Sequence, residues 1–440
     1  MTLTLRQAQR RYLGLAALRW FASGLMFPVQ VLLFTARGLD LPTTGLLLAL
    51  YAALIVLLEL PSGSLADLLG RRRTMLLSHT AFITAMAAMA VAQQWWHFAG
   101  AVTLSAIGRA LGSGPLEAWY VDTVRAADAT ASLRTGLSRG WAIEALGLGV
   151  GAIIGGAAPR LFGALPADGL LSPFSVPALG AAAIGALSLL AHALFMAEPQ
   201  RRSAPDNGVD ALRALPGQIA GGIRLAVHDP VIRLLMARTA AIGLAIVTME
   251  ILSPLQFAAL LGGPERAAAA YGLLATGAWL GVAAGSGGAP GLCRIGARAA
   301  LGNPLAVAAL CTGLVAVGIA LLGLAAVGVG GFLLAATGYL AAYLFVGVPG
   351  PLVDEVLHER VTEAQRATLL SVGSLALQFG GLVGSLGVVR LAEWVGFGYG
   401  WLVAALAVLL GSMLTLSALR RTRRPEYSQP VPNGAMSTVD

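Results

Sequence analysis

Arg19, Glu59, Arg109, Glu117, Glu144 and Glu250 lie inside long apolar runs. A charge at the centre of a bilayer costs about 2.5–3.5 kcal/mol on insertion scales, so such residues mark a cavity, a pair or a relay. With a helix rise of about 1.5 Å per residue, Arg19, Glu59, Glu117 and Glu144 all fall roughly 10 Å from one end of their segments. Asp122 lies just below them, near the surface. One arginine then faces three carboxylates at a single level. Burial and like-charge repulsion both favour the neutral acid, so Glu59, Glu117 and Glu144 are suited to reversible proton binding. The alternative is a set of closed salt bridges and helix-end caps that hold helices together, which fits best for Glu59 beside Pro61. Arg109 lies deeper, where its approach or withdrawal would hold a neighbouring acid ionised or release it to take a proton. Glu250 either faces a cavity and attracts a cationic substrate or reaches back to the near surface. Arg238 reads as an anchor of the same reaching kind. Trp141 and Tyr343 are candidates to line a substrate path, with an interfacial aromatic belt as the alternative.

A second chemistry-bearing stretch is Gly63-Ser64-Leu65-Ala66-Asp67-Leu68-Leu69-Gly70-Arg71-Arg72-Arg73, a charged hairpin between apolar runs 43–62 and 74–92. Packing alone requires neither an acid nor three arginines at a tight turn. A gate between helices does. Elsewhere, glycines recur every four residues at Gly147, Gly151 and Gly155, with Gly156 following, and again at Gly277, Gly281 and Gly285. That spacing lays a smooth groove along a helix and lets backbones approach closely. The two stripes are expected to form a seam along which two halves of the molecule slide.

The elements that must position these residues follow from composition. Of 440 residues, 57% are hydrophobic and 11% are charged, and mean hydropathy is +0.78. Soluble domains carry about 25% charged residues, so this is a chain of membrane helices. Spans need about 20 apolar residues each. Twelve are predicted: 12–36, 43–67, 74–95, 97–123, 138–163, 174–196, 231–258, 267–289, 300–323, 326–349, 369–392 and 398–419. The polar interval 197–230 divides the spans into halves 1–196 and 231–419, followed by a polar tail, 420–440. Every basic residue is arginine. Twenty-two arginines flank the spans on the side of the N-terminus and four (Arg37, Arg160, Arg266 and Arg390) flank the other side. Such a bias places both termini in the cytoplasm.

The hairpin resembles the signature loop of the major facilitator superfamily, matching it at Gly63, Leu65, Ala66, Asp67, Gly70, Arg71 and Arg72. The resemblance implies an all-α integral membrane fold of twelve helices in two pseudo-symmetric six-helix bundles. Two internal echoes agree with parallel repeats: Gly114-Pro115-Leu116 recurs as Gly350-Pro351-Leu352, and Gly70 and Arg72 recur as Gly296 and Arg298, with Cys293 where the acid would be. The run Gly147 to Gly156 resembles the superfamily's drug:proton antiporter signature, except that Ala152 stands at its proline. Arg109 resembles the fourth-helix arginine of the proton-coupled exporters. The resemblance therefore implies a secondary transporter that works as a monomer in the cell membrane. It would export a small amphipathic or drug-like compound against protons, with proton-coupled nutrient uptake as the alternative and a non-transporting receptor as a further one. The implied proton-coupling set is Arg19, Arg109, Glu117, Asp122 and Glu144.

Other functions lack their chemistry. Without lysine there is no phosphate-binding Walker loop, so transport by this chain's own ATP hydrolysis is excluded. Cys293 and Cys311 form no disulfide framework, and no metal or other cofactor is expected. His79, His97, His192, His228 and His358 show no metal-ligand spacing. The arginines sit in short loops between apolar runs, which argues for lipid and against nucleic acid.

Overall fold

The computed structural model describes residues 3–197, 224, 227–298, 302–325, 328–361 and 363–422. For residues 59–65, 67, 298, 363, 364, 366–368, 370 and 371 it describes the backbone alone. Most of the interval 197–230 and of the tail 420–440 lies outside the described residues, as do the side chains of Glu59 and Asp67.

All regular structure among the described residues is helical. The first crossing is α1 (Leu5–Met26) and α2 (Gln30–Ala36), broken where Pro28 removes a backbone donor. Then follow α3 (Leu41–Leu69), α4 (Arg71–Val91), α5 (Trp95–Leu111), α6 (Pro115–Ala127), α7 (Arg134–Leu161) and α8 (Val176–Phe195). The second half comprises α9 (Pro230–Leu261), α10 (Pro264–Arg298), α11 (Pro304–Gly323), α12 (Val329–Gly347) and α13 (Pro349–His358). It ends with α14 (Glu363–Val383), a π-helical turn at Gly384–Val388, α15 (Val389–Val395) and α16 (Phe397–Thr422).

Starts are written locally. Thr4 and Gln7 form a reciprocal capping box on α1. Asp40, Asp229 and Asn303 accept from the first free amides of α3, α9 and α11. The Thr43 hydroxyl and amide hold the exposed Asp40 carboxyl below its ordinary pKa.

Among the described residues, eleven helices are long and apolar enough to cross a membrane. The twelfth crossing is α5 with α6, where Gly112-Ser113-Gly114 interrupts the helix. Gly114 has φ +92°, a backbone that favours glycine. The tenth crossing breaks at the corresponding place, between α12 and α13, beside the echo of that glycine-proline pair.

One apolar core spans both halves on the arginine-poor side, joining Leu25, Phe34 and Phe98 to Phe257, Tyr339 and Trp401. On the arginine-rich side each half has its own core, around Tyr12 and Trp119 in the first and around Leu305 and Leu352 in the second. The halves are thus fastened at one end. Arg37, one of the four arginines on the sparse side, ties together loops of the first half there: it donates to the Gly169 and Leu170 carbonyls at 2.8 and 3.0 Å. Its burial there lowers its pKa.

The glycine stripes pack differently from the expected sliding seam. A Cβ on Gly147, Gly151 or Gly155 would strike α1, within the same half. Gly277, Gly281 and Gly285 face Leu340 and Leu344 of α12, also within one half. The contact between halves uses the neighbouring helix face. Gly156 meets the Ala268 carbonyl, Gly272 meets the Ala152 carbonyl, and Thr276 Oγ1 donates to Gly149 O at 2.9 Å. Of the predicted set, Gly156 alone lies at that boundary. The physical reason is phase: a four-residue stripe drifts around a 3.6-residue helix, and spacing alone does not say which partner it meets.

A charged cavity between the halves

A cavity of about 600 Å³ lies between the halves. Its walls are largely apolar and aromatic, with Phe27, Met86 and Trp279 prominent, but charged groups converge on it from both sides.

The first half supplies Arg19 from α1 and Arg109 from α5. Both guanidiniums lie over the Trp20 ring, at 5.7 and 5.4 Å from its centre, so one indole separates two cations. Arg19 extends over Gly112, where any Cβ would collide with it and with Ser78 Oγ. The interruption of the fourth crossing therefore makes room for this arginine. Arg19 is within electrostatic reach of Glu144, Glu117 and Tyr51 as well as Arg109. Glu117 stands in the first turn of α6, just past the break. Arg19, Glu117 and Glu144, which the sequence places at one depth, thus lie within electrostatic reach of one another, with the deeper Arg109 beside them. The side chain of Glu59, the fourth residue at that depth, lies outside the described residues.

Asp122 does not join them. It pairs with Arg71, the hairpin arginine, at 2.5 Å, because it lies more than a turn further along α6, at the arginine-rich end. Gly70, with φ +96°, makes the sharp turn from α3 into α4. Arg72 donates to the Ala193 carbonyl at the end of α8 at 2.5 Å. Gly63 and Asp67 lie in the last turns of α3 by backbone.

The second half supplies Glu250 from α9. It lines the cavity and does not reach for the surface. Among the described residues no ion pair involves Glu250, Arg19 or Arg109. Tyr51 on α3 lies within electrostatic reach of all three. The cavity thus has a basic wall and an acidic wall.

Two predicted lining residues lie elsewhere. Tyr343 is buried behind the wall, its ring tilted against Tyr339 at 4.8 Å and 6.5 Å from Trp279. Trp141 is 73% exposed and stands two turns beyond Leu148, a wall residue, toward the arginine-rich side. Arg238, expected to reach the interface, is 6% exposed, within electrostatic reach of Asp354.

Sequence reading missed much of the polar wall: Ser78, His79, Ser105, Ser188, Ser374 and Gln378. Serine in a membrane helix carries no distinctive pattern, so no signal marked them. Trp279 was equally silent, yet its ring meets that of Phe27 across the halves at 6.2 Å.

Helices joined in two fastened halves, enclosing a charged cavity, define a multi-pass membrane transporter. The chain belongs to the Major Facilitator Superfamily, whose family model matches residues 12–350. None of the curated proteins matches it in sequence. Solved structures match in fold. The nucleoside transporter NupG superposes with a TM-score of 0.73 at 13% identity, covering 94% of this chain and 99% of that one. A bacterial homologue of the human drug peptide transporters PepT1 and PepT2 gives 0.70 at 15% identity, covering 96% and 99%. A POT family transporter in complex with 5-aminolevulinic acid gives 0.69 at 14%, covering 96% and 100%.

Proposed function

We propose that this chain is a proton-coupled transporter that exports a small amphipathic compound by alternating access. The observation that carries the reading is the cavity itself, with Arg19, Arg109 and Glu250 deep inside it and in no direct ion pair among the described residues. Fixed charges left without partners in a low-dielectric site are compensated by what binds there. The apolar and aromatic remainder of the wall suits an amphipathic body.

Protons act at the arginine cluster. Glu117 and Glu144 share Arg19, so a negative solute group that takes over the arginine leaves a carboxylate free to accept a proton. A proton arriving first would have the reverse effect on solute release. The direction rests on the antiporter-like run Gly147 to Gly156. The second reading is uptake by symport, favoured by the two-signed wall, which suits a zwitterionic nutrient.

In this account the arginine-rich face lies in the cytoplasm of a cell whose plasma membrane holds the protein, and the monomer is the working unit. The test is accumulation of a dye and antibiotic panel in cells expressing the protein. Lower accumulation that disappears when the proton gradient is collapsed supports export. Higher accumulation, equally gradient-dependent, turns the reading to uptake. No change for the whole panel, with transporter present in the membrane, overturns drug export.

A further inference from the structure

We propose that His79, Ser188 and His192 form a proton-holding site distinct from the carboxylates of the arginine cluster. This rests on the reading of the chain as proton-coupled.

The two histidines come from α4 and α8, and both are buried, at 4% and 0% exposure. Their ring centres are 4.3 Å apart. Each ring's hydrogen position follows from its partner. His79 Nδ1 lies 2.8 Å from the Met75 carbonyl and His192 Nδ1 lies 2.8 Å from the Ser188 carbonyl. A carbonyl only accepts, so both Nδ1 atoms carry hydrogen and both Nε2 atoms offer lone pairs. His79 Nε2 accepts from Ser188 Oγ at 2.8 Å. His192 Nε2 is buried with no hydrogen-bond partner among the described residues.

His79 and Ser188 belong to the cavity wall, so a proton from cavity water has direct access. On arrival it bonds to His79 Nε2, and the new N–H donates to Ser188 Oγ while the serine hydrogen turns away. Only that hydrogen bond reverses, and no covalent bond breaks. The adjacent ring makes a second proton unfavourable, because two imidazoliums would stand in contact.

Arg19 is the charged group facing both rings. Arg109 of α5 and Glu117 of α6 act on Arg19. Ser78, next to His79, donates to the Gly108 carbonyl at 2.6 Å, and Arg109 follows in the chain. The site is therefore sensitive to whatever neutralises Arg19. An anionic group bound there makes the proton more favourable, so anion and proton reinforce each other's binding.

With only five histidines in the chain, nitrogen NMR of ¹⁵N-histidine-labelled protein in lipid bilayers reads the site directly. His79→Gln and His192→Gln assign the pair, and Ser188→Ala keeps both rings while removing the hydroxyl. The expected result is uptake of one proton by the pair as the solution is acidified from pH 8. Arg19→Gln is expected to fill the site from solution about tenfold less acidic. Two rings that stay neutral throughout, or that titrate independently with two protons, overturn the site. Solute-driven proton flux in liposomes separates the two readings: flux with silent histidines sinks this site alone. Titrating histidines with no flux for any solute sink the coupling and leave the site standing.

Discussion

Charge placement at single residues decides the chemistry. Arg109→Ala or Glu117→Gln is expected to abolish proton-coupled transport while membrane insertion stays intact, since Arg109 lines the cavity, Glu117 acts on Arg19, and neither belongs to the fastened core. Normal transport in both would remove them from the mechanism. Gly112→Ala tests the space beneath Arg19: its Cβ must push the guanidinium aside, so transport is expected to fall at least tenfold with little change in thermal stability. Arg37→Met should do the opposite. It removes several hydrogen bonds from a guanidinium to loop carbonyls, each worth about 1 kcal/mol net, so Tm falls while solute affinity stays. At this scale the sequence was partly legible. Charges inside apolar runs stand out, and Arg19, Arg109 and Glu250 were found that way. Asp122 stands apart from the cluster because the turn at Gly70 brings Arg71 to it near the surface, a partner that spacing along the chain does not show. His79 and His192 carried no signal, being far apart in the chain and joined only by the packing of α4 on α8.

Interrupted helices carry the geometry at the next scale. The break at Gly112–Gly114 opens the arginine pocket, and the break at Pro28 turns Phe27 toward Tyr271 and Trp279 of the other half. Gly114→Ala is expected to destabilise the protein by about 1–3 kcal/mol, because a side chain at positive φ is strained. Denaturation in detergent measures it, and an unchanged midpoint would show that the break does not need glycine. The hairpin is an element of the same kind. Asp67 lies in the last turn of α3. The resemblance of the hairpin to the superfamily's signature loop implies a place against the start of α14, where a helix dipole would favour an acid. Asp67→Asn is therefore expected to favour opening on the arginine-rich side, read as faster labelling of cysteines placed between the halves there. Helices were legible in the sequence because apolar length is a strong signal. Their breaks were less so: the span 97–123 reads as continuous, since Gly-Ser-Gly costs little apolarity.

For the whole molecule, the account requires that the halves rock about the cavity. They share one core on the arginine-poor side and have separate cores on the other. Gly156→Val would wedge the fastened side apart against the Ala268 carbonyl, so labelling of cysteines on the arginine-poor side should rise and transport should fall. The two halves were legible from the polar interval and the internal echoes. The seam between them was not, because the small-residue stripe that meets the other half, Gly149, Ala152 and Gly156, lies one helix face from the more regular stripe the spacing advertises. The central claim is that movement of a solute bridging the two charged walls is coupled to movement of protons. It is tested most directly in liposomes containing the purified protein and an internal pH dye, challenged with a panel of amino acids, dipeptides, organic cations and organic anions. The account predicts that some members change internal pH in wild type, and that Arg109→Ala and Glu250→Gln each abolish the response. A pH that no member changes, or a response that survives in both variants, would contradict it.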